Sequence, residues 1–158
     1  MRVSFSLPGI AFLAALFILA GVSGARADDA AAIGYRQKLM QSQGFHAGSL
    51  GAILKGEWAH KEDAAAHAKG LAADAQLIVN AFKMQTADVK TDAKAEIWKD
   101  LAKFEEKAKG LETESAKLVE VAASGNMADI GAQVKKVGDA CGACHKEFRK
   151  PKEQSYKN

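Results

Sequence analysis

Two cysteines are all the chain has, and both fall in one pentapeptide, Cys141-Gly142-Ala143-Cys144-His145. On a helix, positions three apart share a face, so the two thiols can bond neighbouring vinyl groups of one porphyrin. His145, four residues after Cys141, can turn an imidazole nitrogen onto the iron from the same side. The C-x-x-C-H string therefore reads as the attachment site of a single covalent haem c, with His145 as an axial ligand. A zinc site would call for a second Cys/His pair, and the sequence has none. A thioredoxin-type C-x-x-C belongs in a βαβ context, which this alanine-rich chain does not offer.

The elements that must hold such a group come next. Arg2, the apolar run from Ile10 to Ala20 and the small-x-small triplet Ala25-Arg26-Ala27 have the form of a cleavable secretory signal. The apolar run is shorter than a membrane span. Residues 1–27 are thus expected to be a signal peptide and 28–158 one periplasmic domain, with no stable membrane insertion after cleavage. The domain would have 131 of the 158 residues, enough for a single core. Loss of Arg2 and Arg26 takes the formal charge from +3 to +1, which argues against a nucleic-acid partner. A local basic end remains at Lys146, Arg149, Lys150, Lys152 and Lys157. It reads either as a helix C-terminus with a solvated tail or as a docking patch for an acidic redox partner protein.

Beyond residue 27 there is one proline, Pro151, and no strand-like alternation. Four amphipathic stretches fill the domain. The first runs from about 30 to 55 with Ile33, Met40, Ala47, Leu50 and Leu54 on one stripe. The second runs from about 62 to 83 on Leu71, Ala75, Ile78 and Phe82. The third starts near 91 or 92 and carries Ile97, Leu101, Phe104, Ala108, Leu111, Leu118 and Val121. The fourth opens on Asn126 as N-cap and stops before Pro151. Its stripe of Ile130, Val134, Val137, Cys141, Cys144 and Phe148 puts the thiols on the inward side. Short links between long helices predict an all-α, antiparallel up-down-up-down four-helix bundle.

With a signal segment, four helices and a C-terminal C-x-x-C-H, the chain resembles the cytochrome c′ family over essentially all of Asp28 to Lys150. The resemblance is carried by Tyr35 to Met40, Leu50 to Glu57, Glu96-Ile97-Trp98 and Cys141 to Arg149. It implies a haem between the helices, His145 as proximal ligand, Met40 facing the distal side of the iron and Arg36 near a haem propionate. The family has two branches. In one, a low-spin c-556 type, a methionine at this position binds iron and the protein carries single electrons. In the other the iron is five-coordinate and high-spin and takes up nitric oxide or carbon monoxide. The runs around Met40 and Leu50 favour the low-spin electron carrier, with Met40 and His145 as axial ligands, and the gas binder is the alternative. Neither is an enzyme in the turnover sense. A haem-free helical interaction protein is the third reading.

On residue type alone, Met40 is also a plausible core filler and Arg36 a solvated charge. His46 falls well off the Met40 face and is expected at the surface or boundary. His60 and His67, seven apart, lack the accompanying ligands of a metal site. Trp58 and Trp98 are expected to pack at helix ends. The chain would be a monomer or a homodimer, with Ala64, Ala65, Ala68 and Ala72 permitting contact through the first two helices, as in high-spin members of the family.

Overall fold

The computed structural model describes residues 21–86 and 90–157, with side chains from residue 28 onward. Most of the expected signal peptide, residues 1–20, lies outside the described residues. Four long helices, α1 (Gly21–Lys55), α2 (Asp63–Phe82), α4 (Leu101–Ala123) and α5 (Met127–Phe148), are joined by a short α3 (Glu96–Lys99) and followed by a 3-10 turn at Lys152–Gln154. Two helices end on glycine in the left-handed region. Gly56 (φ 76°) follows α1 and Gly125 (φ 71°) lies just beyond α4, a conformation that costs glycine little.

Cross-helix contacts fix the topology. Arg36 reaches Ala81 and His46 reaches His67, so α1 and α2 run antiparallel. The Phe82 ring at the end of α2 packs at 5.0 Å on Phe104 at the start of α4. Gln133 of α5 donates to Glu114 of α4, and Lys103 pairs with Glu147 at the other end of that helix pair. The result is an up-down-up-down bundle with a core that includes Leu50, Leu71, Ile97, Leu118 and Ile130. α5 lies alongside α1 more loosely. The two helices meet where Gly131 faces the Leu54 Cδ2, and they part toward Met40 at one wall and the cysteines at the other.

α5 forms as its sequence indicates. The Asn126 side chain accepts from the amides of Ala128 and Asp129 at 3.0 and 3.4 Å, satisfying N–H groups that the helix cannot. The start of the third helix differs. Residues 91–95 are not helical, and α4 begins only at Leu101, capped by the Asp100 carboxylate accepting from the Lys103 amide. The segment before it is held by the C-terminal tail. Ala93 bridges Arg149, the Lys150 amide donates to the Asp92 carbonyl, and Asp92 accepts from Ser155 and the Tyr156 amide.

The α1 stripe also lies elsewhere than expected. Its buried residues include Ile33, Arg36, Leu39, Gln43, Leu50 and Ile53, whereas Met40 and Leu54 are half-buried and Ala47 is exposed. Met40 and Ala47 line the gap toward α5; Leu39, Leu50 and Ile53 join the core. Ala64 and Ala68 are buried inside the chain, so they offer no contact to a second copy.

Candidate haem site

The gap between α1 and α5 is a cavity of about 430 Å³. Cys141, Cys144 and His145 form its α5 wall, and Met40, Gly44 and Ala47 line the α1 side. Its inner end is aromatic: Phe82, Phe104 and Phe148 make a ladder with centroids 5.0 and 5.4 Å apart, and Leu71 and Ile97 complete it. The sequence thus brings together all three residues of the C-x-x-C-H reading and faces them with Met40. Both cysteines are half-buried and unbridged, which suits thioether formation on one helix face. A flat apolar group with one polar edge fits this lining.

The electrostatics agree. Burial pushes the Cys141 thiol up, and burial with the neighbouring Cys141 raises Cys144 to about 11. Both are therefore neutral thiols at physiological pH. His145 is exposed along one edge while its ring borders the cavity. Desolvation on the cavity side, then the adjacent Arg149, lowers its pKa. That keeps a nitrogen lone pair available for a metal ion.

Arg36 lies at the cavity rim in an unexpected role. Only 3% exposed, it donates through Nε to the Ala81 carbonyl at 2.6 Å, through one terminal nitrogen to Thr86 at 3.0 Å, and through the other to the Met84 carbonyl. Its guanidinium stands 4.9 and 5.2 Å from the Phe82 and Trp98 ring centres. It is a buried tie across the end of α2, and of its five N–H groups three are accounted for by these bonds. Burial lowers its pKa, partly offset by Asp29.

Other expectations resolve as follows. Trp98 packs at a helix end and donates to the Phe82 carbonyl, and Trp58 is half exposed and donates to Asp63. His60 pairs with Glu62 rather than His67. The basic tail lines a second groove of about 750 Å³ beside His145, with Lys94, Lys146, Arg149, Lys152 and Lys157 around the single acid Asp92. Sequence reasoning missed the part of Asp92, Gln43 and Tyr156 in the first cavity's lining. Gln43 has a local signal, three positions after Met40 on the same face; the tail contacts join residues more than 60 positions apart and have none.

The chain is similar to known proteins along most of its length. A family model described as Cytochrome C' matches residues 31–149. A cytochrome c' from Rhodospirillum rubrum is 36% identical over 124 residues, 78% of this chain and 84% of that one. A cytochrome c-556 from Agrobacterium tumefaciens is 34% identical over 118 residues, 72% and 90% of the two chains. Among solved structures, the nitric oxide complex of a point mutant of cytochrome c prime from Alcaligenes xylosoxidans superposes with a TM-score of 0.72 at 30% identity, covering 78% of this chain and 97% of that one.

Proposed function

The chain belongs to the cytochrome c′ family, and from that premise we propose that it is a periplasmic, high-spin monohaem cytochrome that binds nitric oxide or carbon monoxide at a five-coordinate iron. One haem c, covalently bound, supplies the gas-binding and one-electron chemistry. Cys141 and Cys144 hold it by thioether bonds, and the neutral imidazole of His145 is its proximal ligand. The observation that carries the reading is the make-up of the α1 wall. Around Met40 it includes Gly44 and Ala47, beside Gln37, Gln41 and Gln43, and the two small residues leave room for a diatomic molecule. The nitric oxide complex of the Alcaligenes relative points the same way. Arg36 has N–H capacity left for a propionate at the rim.

Secretion is supported by the signal-like N-terminus. The basic groove beside His145 suits electron exchange with an acidic partner protein.

A low-spin electron carrier is the second reading, favoured by one observation: the Met40 side chain lines the cavity opposite His145, as a thioether ligand would have to. Our sequence reading preferred it; the weight of cytochrome c′ relatives reverses that order. Absorption spectra and carbon monoxide uptake of the haem-loaded parent and of Met40→Ala separate the two. A gas binder has broad high-spin bands in the parent, takes up carbon monoxide at once, and binds it faster in the variant. Sharp reduced α and β bands, no uptake by the parent and a high-spin variant would overturn the proposal in favour of His145/Met40 ligation.

A further inference from the structure

Away from the cavity, the α1–α2 seam brings together two histidines 21 positions apart. His46 and His67 face one another through their Nδ1 atoms at 3.1 Å, and both are half-buried. The chain is shaped around this contact. At Gly70 a Cβ would stand 2.4 Å from both Cε1 and Nε2 of His46, so only glycine lets the ring lie against α2. Phe45 sets its ring against both imidazoles, at 5.5 and 5.7 Å, and shelters one flank. Four residues past Gly70 on the same α2 face, the half-buried Asp74 has one buried carboxylate oxygen with no hydrogen-bond partner.

Two neutral imidazoles pair in this way only if one nitrogen supplies a proton and the other a lone pair. The ring centres stand 5.4 Å apart, so the two nitrogens meet head-on; for a metal ion to replace the shared proton at bonds of about 2.05 Å, each ring must swing by roughly 40° until both lone pairs meet off the line between them. The spacing permits it. With bonds of about 2.05 Å, two nitrogens of a tetrahedral site stand ~3.3 Å apart, and two adjacent nitrogens of an octahedral one ~2.9 Å apart. The observed 3.1 Å falls between.

We propose that His46 and His67 form a two-imidazole chelate for a divalent first-row ion such as zinc or copper(II). Imidazole donors suit these ions. Among the described residues no group of three or more His, Cys, Asp or Glu is close enough to enclose a metal. The site therefore offers two protein ligands and leaves the other positions to water, which makes it an exchangeable site rather than a closed structural one. It does not depend on how the haem iron is ligated.

The test titrates zinc alone into the untagged, haem-loaded chain by calorimetry. One ion per chain is expected, with affinity at least ~10-fold weaker in His46→Asn and in His67→Asn and with haem absorption and helical circular dichroism unchanged. On the parent itself, zinc should protect His46 and His67, but not His60, from acylation by diethyl pyrocarbonate, as read by peptide mass. Undiminished uptake in both variants, or protection of His60 alone, would place the ion elsewhere and overturn the proposal. No uptake by the parent at millimolar zinc would leave the pair as a hydrogen bond and overturn it equally.

Discussion

The thiol of Cys144, raised to about 11 by burial and its neighbour, makes a chemical forecast for the chain before haem attachment. Its folded pKa lies above the ordinary value near 9, so folding favours the protonated form. Stability from this source is complete below pH 9 and is lost as pH climbs toward 11. Iodoacetamide, which needs thiolate, should label Cys144 of the folded apoprotein at least ~10-fold more slowly at pH 8 than the same chain in urea, by mass spectrometry. After haem attachment neither cysteine should label, and Cys141→Ser should leave a single thioether, visible as weakened haem staining in a denaturing gel. Arg36 makes a different forecast. Its three described hydrogen bonds are buried or partly buried and charge-assisted, so Arg36→Met should cost about 2–4 kcal/mol in urea unfolding. A solvated arginine, or one serving a propionate alone, would cost the apoprotein almost nothing.

At the scale of elements, the caps account for where helices begin. Asn126→Ala should lower stability by about 1 kcal/mol, measured by thermal melting, because two amides of α5 lose their acceptor. This helix was legible in the sequence since its cap, its stripe and its stop are all local. α1 was legible only as a helix. Its most regular apolar positions, 33, 40, 47 and 54, suggest a core stripe, yet Ala47 is exposed because that row turns toward the cavity while Leu39 and Ile53 pack on α2. A pattern of apolar residues does not distinguish a wall built for protein from one built for a cofactor. The third helix was placed too early, since residues 91–95 answer to the tail and not to their own propensities. Of the cavity's lining, Cys141, Cys144, His145 and Met40 were named from spacing and resemblance, and all four border it. The role of Arg36 at the end of α2 was not, since its partners lie 45 to 50 positions away.

For the whole molecule, the tail closes the bundle at the cavity's edge. Removal of everything after Lys150 takes both tail hydrogen bonds from the Asp92 carboxylate and leaves it the ion pair with Arg149, and should lower the melting free energy by about 1–2 kcal/mol while quickening haem access to solvent, read by azide or cyanide binding rates. The opposite end of the α1–α5 gap has a mechanical consequence. A Cβ at Gly131 would stand 3.4 Å from Leu54 Cδ2, whereas Met40 of α1 and the cysteines of α5 face the cavity, so the pair marks the close end of the two helices and acts as the pivot of a pair of tongs. Gly131 and Cys141 are ten residues apart on one rigid rod, an arm of about 15 Å. With the porphyrin bonded to α5 as proposed, a thicker pivot would lift it away from the distal wall without altering any residue near iron. Gly131→Leu should widen the jaws and speed carbon monoxide uptake several-fold, and the width at that pivot becomes the dial by which one bundle could be set for a diatomic guest or for a thioether.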